Sequence, residues 1–388
     1  MRSERVRLGI FGAGMIATHP GGVLPNMGSL VEDVDVCAIA SRTRGRAEEV
    51  AHRFGIANVR DSLREMLSAD DLDVVINLTP VAVHGETNLE ILESGRHLIT
   101  EKPIASSLEE ADRIIATAGE RALSVIAAPP WMLDPRRVAA RSLVRQGVVG
   151  RVAFARSRSS HAGPADMSWP ADPSWFYAEG AGALLDLGIY GVTEVTGMFG
   201  PAQRVMAMSG ITRTERVARG GPFDGKRVPV TADDNTLLML DFGDSLFCFV
   251  DATFNLLAAS SPSLEVFGAD GTLNLFEPFW AREGQPAIEV FRRDLVGGLS
   301  GWAAPDLAGS RERQSEFDQL QRAILVKHFV DCAKSGLRPV LSAEHARHTL
   351  EIMLAAQESA RTGSAVSIAS SFTFSGTALE LDRENGDQ

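Results

Sequence analysis

The chain has 388 residues, and at about 100 to 200 residues per domain that length implies two domains, each able to bury its own core. Hydrophobic residues at 45% and charged residues at 23% exclude a disordered or fibrous chain. Lys plus Arg number 38 against 50 Asp plus Glu, a net charge of −12 whose field repels phosphate backbones and anionic lipid, so no nucleic acid or membrane partner is expected. Three cysteines, Cys37, Cys248 and Cys332, lie too far apart for a CxxC zinc or redox motif. They read as reduced packing residues of a cytoplasmic protein, with no export signal ahead of the first strand and no apolar run near the ~20 residues of a membrane span.

Up to about residue 125, short apolar runs alternate with longer amphipathic ones, the pattern of a parallel βαβ series. Residues 6–11, 34–40, 74–78, 97–100 and 123–127 read as strands. Residues 44–54, 83–93 and 108–118 read as helices, with Gly55, Gly95 and Gly119 as stop signals. Right-handed crossovers with helices on both faces make this a doubly wound open sheet of α/β class.

After Pro129-Pro130 a helix at 134–146 leads into a second domain. Its strands, 152–157, 204–211, 235–241, 246–252, 264–267, 272–276 and 288–291, are closely spaced and turn-linked, as in an antiparallel sheet. One helical stretch, 181–199, interrupts them, and helices at 314–334 and 343–361 are expected to pack back across the structure. The expected domains are residues 1–128 and 129–370, with 371–388 a terminal segment whose acidic end is frayed.

Gly9-Ile-Phe-Gly12-Ala-Gly14-Met15-Ile16-Ala17 places a GxGxxA where the first strand turns into the first helix. Gly12 permits a tight turn, Gly14 lets the backbone approach a pyrophosphate, and Ala17 lets the helix sit close to the strand. The first helical N–H groups, at Met15 and Ile16, face the phosphate. Pro20-Gly21-Gly22 then cuts that helix short, so the next loop is placed over the cofactor.

At the end of the second strand, where an NAD-binding protein usually carries an acid for the ribose 2′-OH, this chain has Ser41-Arg42-Thr43-Arg44. A hydroxyl followed by a guanidinium suits a 2′-phosphate, so NADP is the preferred cofactor and NAD the alternative. Arg46, a turn further on, is a weaker phosphate candidate. Glu101-Lys102-Pro103 closes a strand at the ligand-binding edge of the sheet. In the second domain Asp186 and Tyr190 stand four residues apart, on one face of a regular helix.

The GxGxxA turn, Asn77-Leu-Thr79-Pro80 with His84 after it, Ser94-Gly-Arg-His97, Glu101-Lys102-Pro103 and the run Gly182 to Tyr190 recur in this order in the Gfo/Idh/MocA oxidoreductases. The chain resembles that family over most of its length. The resemblance implies an N-terminal Rossmann domain and a C-terminal α+β domain whose large, mainly antiparallel open sheet forms a homo-oligomer interface, in a dimer or tetramer. It implies Thr79, Pro80, His84, Glu101 and Lys102 beside the cofactor, Lys102 as the catalytic lysine and Asp186 as the signature aspartate. Tyr190 stands where the commoner family member has histidine, as in the branch with glucose-fructose oxidoreductase, xylose dehydrogenases and dihydrodiol dehydrogenases, where NADP is frequent.

These residues make a hydride-transferring dehydrogenase or reductase of a sugar, cyclitol or related polyol the first reading. A free phenol holds its proton at neutral pH, and a neighbouring ammonium stabilises the phenolate, so Lys102 would make Tyr190 a competent base. Asp186 would orient substrate hydroxyls, and the division of labour between Lys102 and Tyr190 is open. Trp131, Arg136, His161 and Trp175 are candidate substrate contacts, with Trp169 and Tyr177 weaker ones, and no metal site is expected. A second reading keeps the nicotinamide bound and uses transient oxidation for elimination, glycoside cleavage or epimerisation. A third is a non-catalytic NADP-sensing protein, which has no need of a proton-transfer set.

Overall fold

The N-terminal alternation of apolar runs forms a parallel sheet in the computed structural model, which describes residues 5–278, 281–295, 298–307 and 311–374. The chain divides into two units, the first taking the chain up to Leu133 and returning for Glu312–Leu350, the second taking Asp134–Arg311 and Glu351–Phe374.

In the first unit β1 (Val6–Phe11) turns through α1 (Met15–Thr18) to β2 (Val34–Ala40), followed by α2 (Arg44–Phe54), β3 (Asn58–Arg60) and α3 (Leu63–Ala69). Then come β4 (Val74–Asn77), α4 (His84–Glu93), β5 (His97–Thr100), α5 (Leu108–Glu120) and β6 (Val125–Ala127). The strand order is β3-β2-β1-β4-β5-β6, all parallel, so the order reverses between β1 and β4, and the carboxyl ends of those two strands flank the ligand crevice of this architecture.

Two elements escape the sequence pattern. β3 is a three-residue, half-buried edge strand with no apolar run, and α3 starts at a Ser62 cap whose Oγ accepts the Glu65 N–H at 3.1 Å. Gly119 is not the stop it reads as: α5 runs through it to Glu120, and Ala122 takes the left-handed φ of +54°.

The second unit opens with α6 (Pro135–Arg145), capped by the Asp134 carboxylate. Next are β7 (Val152–Arg158), α7 (Ile189–Phe199), β8 (Arg204–Gly210) and the small pair β9 (Glu215–Val217) and β10 (Arg227–Pro229). The sheet continues with β11 (Asn235–Asp241), β12 (Phe247–Thr253), β13 (Leu264–Gly268), β14 (Gly271–Leu275), β15 (Ile288–Arg292) and β16 (Gly301–Ala303). Together with a short C-terminal strand, Val366–Ser367, these make a nine-stranded sheet in which β7 and β12 run parallel and every other neighbouring pair antiparallel.

On one face of this sheet α7 packs on β7 and β12, and α6 on β14. On the other, register aligns Trp302, Phe291, Phe267, Phe154 and Phe247 in one row and Phe249, Met239 and Met206 in the next. Trp302, Met239 and Met206 are exposed, and Met208 beside them is 77% exposed.

A buried ion network ties this unit together. Arg137 donates to Asp134 at 2.6 Å and to Glu194 at 2.8 Å, and pairs with Glu277. Burial would strip its charge, but the three carboxylates outweigh that and hold it protonated. Removing one partner of such a network costs about 3–5 kcal/mol, because the remaining charge is left buried and uncompensated.

The C-terminal stretch expected as one helix at 314–334 is broken. α8 (Arg311–Leu320) and α9 (Ile324–Ser335) are separated at Gln321, whose φ of +48° interrupts the ladder. α10 (Ala343–Thr362) follows. The three cysteines are free thiols.

Two histidines of the first unit bear on its acid stability. Burial pushes His328 down to about 4, and burial with the neighbouring His348 pushes His345 down to about 3. An unfolded histidine titrates near ~6.5, so between those values the unfolded chain binds more protons than the folded one and stability falls as pH falls. It is fully present above pH ~6.5. Denaturant midpoints should therefore hold between pH 7.5 and about 6.5 and drop from there to pH 5, less steeply in His345→Gln; a flat profile would contradict these burial shifts.

Candidate functional site

In the first unit the candidate site residues begin at the turn after β1. Gly12 has a φ of +113°, and a Cβ there would stand 2.8 Å from the Leu78 carbonyl, so the turn closes against the end of β4 only with glycine. Gly14 has open space where a side chain would go, and Met15 and Ile16 are half-buried just behind it. α1 is only four residues long, because the Pro20-Gly21-Gly22 segment folds back and the Gly22 and Val23 N–H groups donate to His19 and Ile16 carbonyls at 2.7 and 2.9 Å. This cradle fits a pyrophosphate.

The three arginines after β2 are not equivalent. Arg44 pairs with Glu48 at 2.8 Å and with Asp61. Arg46 donates to the Ala13 carbonyl inside the glycine turn at 3.2 Å and pairs with Glu49 at 2.8 Å. Arg42 is exposed and, among the described residues, has no ion pair or side-chain hydrogen bond. It lines, with Ser41, Phe11, Asp61, Leu63 and Thr87, an open groove of about 440 Å³. Asp61, which the sequence reading missed, is a carboxylate on this groove, and Arg44 pairs with it.

At the ends of β4 and β5, buried Asn77 accepts from the Thr79 N–H at 3.2 Å and hydroxyl at 2.7 Å, and donates to Thr87 and Asn88 at 2.7 and 2.8 Å. Asn88 continues to the Thr100 hydroxyl and the Ile104 carbonyl at 3.0 and 2.9 Å. A buried asparagine on the apolar face of α4 was the available sequence signal for this network. Pro80 is exposed and Thr79 half-buried beyond it.

His84 is turned inward: its ring nitrogens lie 2.7 Å from the Thr79 and Pro103 carbonyls, so it touches both loops and offers neither nitrogen to a ligand. Glu101 is buried and faces Arg322, with its second oxygen accepting the Lys102 N–H at 3.2 Å. Burial would raise its pKa, but Arg322 and Lys102 outweigh that and hold the carboxylate ionised. Both carboxylate oxygens of Glu101 thus have partners, and the side chain braces the Lys102 backbone. Arg322 was invisible in sequence because 221 residues separate the pair. The Lys102-Pro103 peptide is cis, and Lys102 itself is half-buried.

In the second unit the candidate residues are carried by the Gly180–Tyr190 run. Gly182 has a φ of +96°, and the Ala183 N–H donates to the Asp233 carbonyl at 3.1 Å, fixing the start of the helix. The helix is not uniform as expected from 181 to 199: Leu184–Gly188 is a π-turn, and only then does α7 begin. Asp186 and Tyr190, both half-buried, flank the junction.

The candidate substrate contacts divide. Arg136 pairs with Asp134 at 2.7 to 3.2 Å. Tyr177 is fully buried, its oxygen accepting the Ala165 N–H at 3.1 Å, and burial pushes its phenol up to about 12. Trp169 packs edge-on against Phe176. Trp175 is exposed and lies over Phe176 at 4.0 Å, His161 is half-buried against Phe254, and Trp131, in the first unit, is half-buried. No helix among the described residues is long and apolar enough to cross a membrane, and none of their His, Cys, Asp and Glu side chains cluster in a metal-holding group.

A glycine turn at the switch point of a 3-2-1-4-5-6 parallel sheet, with an open mixed sheet in the second unit, defines a dinucleotide-binding α/β protein. Residues 6–128 match the model of an oxidoreductase family with an NAD-binding Rossmann fold, and residues 138–274 match the GFO/IDH/MocA C-terminal domain. The chain belongs to the GFO/IDH/MocA family and is an NAD(P)-dependent oxidoreductase of the dehydrogenase and reductase class.

Among its relatives, a dTDP-3,4-didehydro-2,6-dideoxy-alpha-D-glucose 3-reductase of Actinomadura kijaniata is 27% identical, over 86% of this chain and 96% of that protein. The trans-1,2-dihydrobenzene-1,2-diol dehydrogenase of Oryctolagus cuniculus is 27% identical over 82% and 88%. A solved levoglucosan dehydrogenase in complex with NADH and levoglucosan shares the fold, with a TM-score of 0.76 at 20% identity, covering 94% of this chain and 99% of that one.

Proposed function

We propose that this chain is an NADP-preferring dehydrogenase or reductase that interconverts a secondary alcohol and a ketone on a sugar, cyclitol or related polyol. The observation that carries this reading is the presence, at the family's signature positions, of an ammonium, a carboxylate and a phenol: Lys102, Asp186 and Tyr190. Sugar and cyclic-diol relatives that match most of the chain support the substrate class. Arg42, which has no carboxylate partner among the described residues and lines the same groove as Ser41, supports the coenzyme preference.

When bound, the nicotinamide coenzyme supplies the hydride acceptor or donor. Gly12, Gly14 and the backbone of Met15 and Ile16 hold its phosphates, Ser41 and Arg42 take the 2′-phosphate, and Arg46 braces the turn through Ala13. Thr79 and Pro80 border the nicotinamide side, where Asn77, His84 and the Glu101–Arg322 pair fix the loop that carries Lys102. Tyr190 removes the substrate hydroxyl proton in oxidation and returns it in reduction. Lys102 stabilises the phenolate or relays that proton. Asp186 accepts hydrogen bonds from substrate hydroxyls and sets which carbon reacts.

The test is NADP+ and NAD+ reduction across D-glucose, D-xylose, levoglucosan, scyllo-inositol and trans-cyclohexane-1,2-diol, with the reverse direction on the matching ketones. Multiple turnovers with free NADP+ support the proposal. Stoichiometric, non-exchangeable coenzyme with no net NADPH would instead favour transient oxidation.

We infer also that the aromatic and methionine rows on the open face of the nine-stranded sheet are the contact surface of a homo-oligomer, since an exposed apolar patch of this extent is characteristic of an interface. Met208→Asp combined with Met239→Asp is expected to convert the oligomer to monomer in sedimentation velocity at micromolar concentration. A parent protein that already sediments as a monomer would remove this inference.

A further inference from the structure

The turn carrying Asp186 and Tyr190 is opened by a side chain from another element. In a regular α-helix the Gly191 N–H would donate to the Leu187 carbonyl. Here the Ser159 hydroxyl occupies that rung: its Oγ donates to the Leu187 carbonyl and accepts the Gly191 N–H at 3.1 Å. The four-residue rung is thereby replaced by a bridged one, and the π-turn Leu184–Gly188 appears immediately before α7. Insertion of a polar group into the ladder is a recognised cause of such local widening.

Ser159 reaches the helix because the surroundings are built for close approach. A Cβ at Gly191 would stand 2.6 Å from Val250 Cγ1 and 3.0 Å from Ser159 Cβ, and one at Gly188 would stand 2.8 Å from Leu184 and 3.2 Å from Ala252. Two glycines on one helical face therefore bring the backbone down onto β7 and β12. Ser159 itself is held at the end of β7, its N–H donating to the Asp251 carbonyl at 3.1 Å. Next to it, Ser160 bonds the Asp251 carboxylate and accepts the Thr253 N–H at 3.0 Å. The serine is thus anchored to the sheet before it meets the helix.

We propose that Ser159 is a positioning residue for the reaction: by holding open the Leu187–Gly191 rung, it sets the rotation of Asp186 relative to Tyr190 about the helix axis. This rests on the assignment of those two residues to substrate orientation and proton transfer. Removing the hydroxyl leaves the Leu187 carbonyl and the Gly191 N–H facing one another, so they re-pair directly and the turn tightens to α geometry. The fold keeps its hydrogen bond, whereas the acid and the phenol lose their register.

Ser159→Ala, Ser159→Thr and Tyr190→Phe are compared by kcat, KM and NADP+ Kd, using the best substrate among D-glucose, D-xylose, levoglucosan and scyllo-inositol, with melting temperature as control. The expected result is a loss of at least about tenfold in kcat for Ser159→Ala, with NADP+ Kd within about twofold and melting temperature preserved. Ser159→Thr, which keeps the hydroxyl, should stay within about fivefold of the parent.

A kcat for Ser159→Ala within about twofold of the parent, or an equal loss in Ala and Thr, overturns the proposal. Full turnover in Tyr190→Phe strikes the proton-transfer assignment instead, so the two failures are read on different variants. Should Ser159→Ala not fold, Ser159→Cys, which holds the volume but weakens both bonds, is read the same way.

Discussion

Tyr190→Phe and Lys102→Ala are each expected to lower kcat for polyol oxidation by about 10²- to 10⁴-fold while leaving NADP+ Kd within about threefold of the parent, the range over which a positioned acid or base contributes. The phenylalanine keeps the ring and deletes only the oxygen that exchanges a proton, so any loss belongs to proton transfer rather than packing. The alanine at 102 removes an ammonium from a loop whose shape is held by other groups. Glu101 is anchored by Arg322, and the Pro103 carbonyl by His84. The loop should therefore survive the change, and the coenzyme with it. Stopped-flow measurement of NADPH formation, paired with coenzyme fluorescence titration, separates the two quantities. Unaltered turnover in both variants would remove both residues from the mechanism.

The second large effect is on coenzyme choice. Arg42→Ala should weaken NADP+ binding by about 10- to 100-fold, the equivalent of about 1.5–3 kcal/mol for a charge-assisted hydrogen bond, and should leave NAD+ within about threefold. The selectivity follows from how the neighbouring charges are spent. Arg44 is committed to Glu48 and Asp61, and Arg46 to Glu49 and the Ala13 carbonyl. Arg42 has no such commitment among the described residues and can take a 2′-phosphate without breaking an ion pair. Arg46→Ala serves as the contrast: it loosens the glycine turn and should weaken both coenzymes alike. Equal weakening of the two coenzymes by Arg42→Ala would show that its guanidinium does not read the phosphate.

Much of the first unit was legible because its signals are local. Gly12, Gly14 and Ala17 lie within six residues, and each answers one requirement of the strand-to-helix turn; the absence of an acid after β2 is read directly from Ser41-Arg42. What stayed hidden depends on partners distant in the chain. Asp61 meets Arg44 across 17 residues, Arg322 meets Glu101 across 221, and Ser159 reaches Leu187 across 28. No periodicity records such meetings.

The π-turn shows the consequence. Apolar spacing from 181 to 199 reads as one helix because spacing registers which residues are buried, not whether the Ser159 hydroxyl, just past β7, occupies a rung. The Arg136 pairing was equally hidden: Asp134, two residues before it, binds its guanidinium, a contact that no apolar pattern signals. β3 was missed because three half-buried residues at a sheet edge carry no apolar run.

The central claim is that Lys102 and Tyr190 serve a single proton transfer. The kcat of the double variant Lys102→Ala/Tyr190→Phe, set against the two single variants, tests it most directly, because residues acting as one unit give strongly non-additive losses. The account predicts a double variant no more than about threefold slower than the slower single. Losses that multiply in full would mean that the ammonium and the phenol act independently, and would contradict it.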